Sequence, residues 1–416
     1  MLSKRAFLSG AVASGVVVAS GVKAQTQTVT PTQGLPNLAA GATPISVAER
    51  QARIARLQEQ MQRQKIAGLL IEGGTSLTYF TGLRWGRSER VTAALIPARG
   101  EVVIVTPYFE ESRTRETLEV PAEVRTWNED ESPYALIAGA LKDRGAANGT
   151  LAVEGTTRYF IIDGLKQQGA FEVVSGEALV AVCRRIKSPA ELALMQTAND
   201  ITLAALRHVH ANIKVGMASR DIAALMNDAT RVLGGAPEFA LTLLNEASAY
   251  PHGTKTPQTV CEGSVILMDC GCALLDYESD ITRTWVYGEA TARQRKVWDT
   301  VRRGQEIVLE TAKVGVPVAK LDAAVRAFYD KEGWGPGFTL PGLSHRAGHG
   351  IGMDGHEAPY LVGNDPTPLE AGMCFSDEPG LYIPGEFGVR LEDCWYMTPT
   401  GPKLFSPLAR SLEDPI

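Results

Sequence analysis

The run Val265-Ile266-Leu267-Met268-Asp269-Cys270-Gly271 constrains the fold of this chain more than any other, because it sets a carboxylate inside an otherwise apolar strand. An unpaired charge out of water is costly, so the fold must bring a partner to Asp269. Eleven residues on, Asp280 precedes a second strand-like run, Ile281-Thr282-Arg283-Thr284-Trp285. A hairpin centred between Leu274 and Leu275 puts Asp269 and Asp280 directly opposite each other on one face. Two carboxylates so close either raise each other's pKa or hold a cation between them.

The chain repeats this pattern near its end. Phe375-Ser376-Asp377-Glu378-Pro379-Gly380 and Val389-Arg390-Leu391-Glu392-Asp393-Cys394-Trp395 each carry a glutamate among apolar neighbours. Period-two alternation sends Arg390, Glu392 and Cys394 to one face of the second strand. Between the two acidic pairs lies Gly348-His349-Gly350-Ile351-Gly352-Met353-Asp354-Gly355-His356-Glu357. Glycines at that density point to a tight, bare-backboned turn presenting an imidazole, rather than to a core helix or a plain strand. A lone acid of this kind is ordinarily a surface or ion-paired group. Four of them with His349 point to a metal centre.

At 416 residues, 44% hydrophobic and 21% charged, the chain has the composition of two globular domains. Its net charge of −6 and the lack of basic blocks argue against a nucleic-acid partner. Residues 1–24 read as an export signal: Lys4 and Arg5 precede a mildly apolar run, Ala11 to Val22, too short to span a bilayer, and Val22-Lys23-Ala24 offers a cleavage site. Ser3-Lys4-Arg5-Ala6-Phe7-Leu8 is similar to a twin-arginine signal with lysine in the first position, so the expected destination is a bacterial periplasm. The six cysteines show no disulfide spacing, and Cys270 and Cys272 read as buried thiols.

Residues 25–43 lack apolar periodicity and are expected to form a flexible leader. Residues 44–183 alternate helical and strand patterns as an α/β domain, and a helix carrying Cys183 to Lys187 bridges to the second domain, 184–416. Ser188-Pro189-Ala190-Glu191 is a strong helix start. Within the second domain Lys214-Val215-Gly216-Met217 leads into Asp221-Ile222-Ala223-Ala224, and Lys313-Val314-Gly315-Val316 into Leu321-Asp322-Ala323-Ala324. The repeat predicts two similar halves about a pseudo-twofold axis, each with two helices followed by strands, and a site in the cleft between them.

These motifs together resemble the pita-bread metallopeptidases, in the branch of aminopeptidase P, prolidase and creatinase. Asp269 and Asp280 in MDCGCALLDYESDITRTW, His349 in GHGIGMDGHE, Glu378 in FSDEPG and Glu392 in GVRLED each match a metal-ligand position of that family. GTSLTYFTGLRWGRSER is similar to its amino-terminal domain and RRIKSPAELALM to its interdomain junction. The resemblance implies a creatinase-like α/β amino-terminal domain and an α+β pita-bread catalytic domain with pseudo-twofold symmetry.

It also implies two divalent ions, manganese first with cobalt or zinc as alternatives, since four carboxylates and one imidazole suit hard or borderline cations. In that family Asp280 and Glu392 would bridge the pair, Asp269 complete one ion, and His349 with Glu378 the other. Such a pair makes water a nucleophile at neutral pH, and Glu378 would carry its proton to the leaving nitrogen. His252 and His356 match substrate-contacting histidines, the second at the scissile carbonyl, and Arg390 an arginine beside the ligands. Trp85-Gly86-Arg87 is similar to a segment that reaches a neighbouring subunit's cleft in a homodimer, where Arg87 would bind a substrate carboxylate. The implied reaction is hydrolysis of the bond before a proline in second position. Creatinase-like C–N hydrolysis without metals and a non-catalytic binding role are the alternatives, and a metal hydroxide would also allow a side activity on phosphotriesters.

Overall fold

The computed structural model describes residue 32, residues 34–169 and residues 171–416. The proposed export signal lies outside the described residues. Among those described, no helix is long and apolar enough to cross a membrane.

The described part of the leader is more ordered than its composition suggests. Leu38–Gly41 forms a 3-10 turn whose first turn is capped by Asn37, its Oδ1 accepting from the Ala39 N–H at 2.9 Å. Leu35, Ala39 and Ala42 pack against the main core, and that burial offsets the entropy of ordering the segment.

A six-stranded sheet follows: β1 (Ile66–Glu72), β2 (Ala93–Pro97), β3 (Val102–Pro107), β4 (Ala122–Trp127), β5 (Gly149–Val153) and β6 (Phe171–Ser175), in the order β4-β3-β2-β1-β5-β6. Helices α1 (Val47–Gln64), α2 (Thr75–Thr81), α3 (Glu111–Thr117), α4 (Pro133–Asp143), α5 (Tyr159–Gln167) and α6 (Glu177–Arg184) accompany it. The bridging helix over Cys183 to Lys187 is not formed. α6 stops at Arg184, because Ser188 and Pro189 start a new helix, α7 (Pro189–Asn212), through a complete capping box with Glu191.

The second domain is the expected duplication. α7 and α8 (Ser219–Leu233) precede β7 (Ala236–Leu244), β8 (Val265–Leu274), β9 (Tyr277–Glu278) and β10 (Ile281–Val286). Helices α9 (Ala292–Thr311) and α10 (Ala319–Lys331) precede β11 (Gly348–Gly350), β12 (Glu357–Leu361), β13 (Cys374–Asp377), β14 (Gly380–Ile383), β15 (Phe387–Arg390), β16 (Asp393–Thr398) and β17 (Gly401–Leu404). The repeat is structural as well as textual. Gly216 and Gly315, at φ 88 and 84, turn the two interhelical loops identically. The first donates its N–H to Val260 O and the second to Leu369 O, each at 2.8 Å.

Candidate metal centre

The first acidic pair comes from the β8–β10 hairpin, but its register differs from the sequence expectation. The turn is Leu275-Asp276, both at positive φ (49 and 73), and Asp269 faces Thr282. Aspartate tolerates the left-handed conformation, and Arg84 bonds Asp276 at 3.0 Å, which selects this turn over one centred on two leucines. Asp280 still shares the face of Asp269, because it lies two residues before Thr282, on the diagonal rather than directly opposite.

His349 does not sit in an open turn. It occupies the short buried strand β11, paired to β12 on one side and β13 on the other. The flanking glycines admit those neighbours: a Cβ on Gly348 would meet Ser376 O at 2.3 Å, and one on Gly350 would meet Glu357 O at 2.4 Å. Glu378 follows β13 directly, and Glu392 lies in the step between β15 and β16. The single strand expected over Val389–Trp395 is therefore broken, and Glu392 is fixed by its own N–H to Thr282 O (3.0 Å) and by Arg283 Nη1 to its carbonyl (2.7 Å). Arg283 is fully buried and its charge is met by Asp393 at 2.6 Å.

The five side chains converge in a cavity of about 340 Å³ that Pro251, His252, His345, Arg346, His356 and Arg390 also line. His349 Nε2 lies 3.3 Å from Glu378, 3.6 Å from Asp280 and 4.0 Å from Glu392. One oxygen each of Asp269, Asp280 and Glu392 falls within 4.8 Å of the others. Asp280 Oδ1 and Glu392 Oε1 are buried without a hydrogen-bond partner. Orphaned carboxylate oxygens beside one imidazole nitrogen are the donor set of a divalent-cation site, so the residues fit the group. His349 Nδ1 lies 3.1 Å from Gly350 O; donating there leaves Nε2 as the lone-pair nitrogen facing the acids.

The electrostatics agree. Burial first, then the neighbouring carboxylates, push Asp280 and Glu392 well above the usual carboxylate range. Burial pushes Glu378 up to about 7, with Arg390 opposing it. Burial also lowers His349, and it lowers His356 with help from the Arg346 guanidinium. Arg390 bonds directly into the acids: Nη2 meets Asp269 at 2.5 Å, Nε meets Thr282 Oγ1 at 3.1 Å and Nη1 meets Tyr382 Oη at 3.0 Å. With Arg346 at the same cavity wall, two guanidiniums do not balance four carboxylates, and divalent cations would.

His252 and His356 join the ligand set at the cavity wall, the His356 ring centroid 3.9 Å from that of His349. Trp85 and Arg87 do not. In this chain Arg87 is exposed and bonds Gly73 O (2.9 Å) and Thr156 Oγ1 (2.8 Å), and Trp85 lies under Arg113. His345 and Arg346, which line the cavity, and Tyr382, which bonds Arg390, were not singled out from the sequence. His345 is held neutral, pushed down to about 3 by burial and Arg390, and its Nε2 meets Tyr382 Oη at 2.6 Å. A second imidazole four residues before His349 was the available signal.

A cleft between duplicated halves, lined by five convergent oxygen and nitrogen donors, defines a metal-dependent hydrolase of the pita-bread class. Residues 193–399 match the model of metallopeptidase family M24, and residues 53–186 match the creatinase/prolidase amino-terminal domain. The chain belongs to metallopeptidase family M24. It is 35% identical over 365 residues to an uncharacterized peptidase of Schizosaccharomyces pombe, covering 82% of this chain and 78% of that one. It is 30% identical to a Xaa-Pro dipeptidase of Lactobacillus helveticus, covering 86% and 97%. Among solved structures, the dipeptidase PepE of Mycobacterium ulcerans superposes with a TM-score of 0.80 at 29% identity, covering 88% and 97%.

Proposed function

We propose that this metallopeptidase hydrolyses the bond between an amino-terminal residue and a proline in second position, using two divalent ions, manganese first. The observation that carries the reading is the meeting of Asp269, Asp280, His349, Glu378 and Glu392, from separate segments, around unpaired buried oxygens. The Xaa-Pro dipeptidase named among its relatives supports the choice of bond.

When bound, the ions would supply Lewis acidity, activating water and polarising the scissile carbonyl. Asp269, Asp280, His349, Glu378 and Glu392 would hold the ions: ligand atoms of Asp269, Asp280 and Glu392 lie within 4.8 Å of one another, as do those of His349, Glu378 and Glu392. Glu378, at the end of β13 and 3.3 Å from His349, would accept a proton from the attacking water and return it to the leaving nitrogen. His356 is held largely neutral and can steady a developing negative charge at the carbonyl. Arg390 holds Asp269 in place, and His252 stands at the rim for the leaving residue.

In the same reading the protein is exported, and it works as a homodimer in which Arg87 of a second copy clamps the substrate's terminal carboxylate. A chain-length series of Xaa-Pro peptides, assayed with manganese, cobalt and zinc and with metal stoichiometry measured, tests the function. Turnover confined to peptides lacking proline, or undiminished after chelation, would sink it. Arg87→Ala should raise KM more for dipeptides than for longer peptides; equal effects reject the clamp.

A further inference from the structure

The segment joining α10 to β11 has no regular structure beyond a single bridge from Gly342 to Tyr382, yet it delivers His345 and Arg346 to the cavity wall. Its own backbone closes two local turns, Gly335 N–H to Pro341 O and Thr339 N–H to Pro336 O at 3.0 Å each, and Gly342 and Ala347 bond neighbouring strands. One side chain gathers three further carbonyls along it. Arg326, on α10, donates from Nη1 to the carbonyls of Gly337 (2.7 Å) and Leu343 (3.0 Å), and from Nη2 to that of His345 (2.6 Å). Its Nε and Nη2 also engage Asp322, one turn earlier, at 2.8 and 3.1 Å. Asp322 Oδ1 in turn accepts the Ala347 N–H at 3.1 Å, two residues before His349. The Phe338 ring covers the outer face of the guanidinium, 3.8 Å away.

The internal repeat shows that this ion pair is not needed to build the helix. Aligned on Ala223-Ala224 and Ala323-Ala324, Asp322 falls on Ile222 and Arg326 on Met226. Ile222 and Met226 are buried on α8, as Asp322 is on α10. The first half fills these i, i+4 positions with an apolar pair, and the half that carries the loop fills them with charge. A buried ion pair gives little net stability over a packed apolar pair, whereas an arginine fork locks several acceptors into one geometry. We propose that Arg326, oriented by Asp322, is a positioning residue that sets the 332–347 loop so that His345 and Arg346 face the substrate, and so governs substrate affinity rather than metal binding.

The test rests on the Xaa-Pro reading only for its assay substrate. The double variant Asp322→Ile, Arg326→Met installs the pair used by the other half, and Arg326→Lys keeps the charge but cannot span three carbonyls. Both should fold and bind the wild-type complement of manganese. The double variant should raise KM for a Xaa-Pro dipeptide about tenfold or more, with kcat little changed, and Arg326→Lys should fall between it and wild type. A merely structural lesion would lower the active fraction, hence kcat, at constant KM; that outcome, or an unchanged KM, overturns the proposal. If the double variant does not fold, Arg326→Lys alone decides, and an unchanged KM for it overturns the proposal. If the wild-type enzyme cleaves no Xaa-Pro peptide, the proposed function fails, and hydrogen exchange of the 332–347 amides compared between wild type and Arg326→Lys decides the clamp: faster exchange in the variant is expected, and equal rates overturn it.

Discussion

Stripped of divalent ions, this protein should become more stable as the pH falls from about 8 to about 5.5, the reverse of its metal-loaded form. Burial pushes Glu378 from 4.5 up to about 7, and it pushes Asp280 and Glu392 in the same direction. A carboxyl whose folded pKa lies above its unfolded value binds more protons when folded. Its unfavourable contribution therefore grows as pH rises from the unfolded pKa towards the folded one, and is absent below both. For Glu378 alone the part of that shift lying between pH 5.5 and 8 corresponds to about 2 kcal/mol; Asp280 and Glu392 add to it, and His345 and His349, lowered by burial, act in the opposite sense. At roughly 2 °C per kcal/mol for a chain of this size, Tm should differ by about 5 °C or more across that window. Cations neutralise the same oxygens, so in the loaded protein protons compete with metal and acid destabilises. The assay is thermal unfolding across pH after exhaustive chelation, with a manganese-loaded series beside it. A metal-free Tm that stays flat or climbs with pH over the window would refute the claim that uncompensated buried carboxylates dominate this site.

Two substitutions probe the roles of single residues. Glu378→Gln should lower kcat by about 10²–10⁴ while near-ultraviolet circular dichroism stays native, since it removes a proton carrier and keeps the shape; wild-type turnover would remove Glu378 from the chemistry. Arg390→Lys loses the fork that spans Asp269, Thr282 and Tyr382, and should weaken divalent-ion affinity by about 10–100-fold in a calorimetric titration. An unchanged affinity would show that Asp269 needs no such support.

The candidate metal ligands stand out in the sequence because they break local rules. Asp269 interrupts an apolar strand, and His349 sits among glycines where bulk is excluded. Residues that obey local rules stayed hidden. Arg283 looks like an ordinary outward residue of β10, and only the approach of Asp393 and the Glu392 carbonyl gives it a purpose. Tyr382 reads as a β14 aromatic until His345 and Arg390 meet at its hydroxyl.

The linear chain alone determined the duplicated catalytic domain, the helix starts and the five candidate donors, because periodicity, capping and misplaced charge are properties of neighbours along the backbone. Tertiary structure decided the hairpin register, the strand that holds His349, and the network of Arg283, Arg326 and Tyr382 around the site. Those depend on contacts between residues tens to more than a hundred positions apart, whose energies no local pattern records.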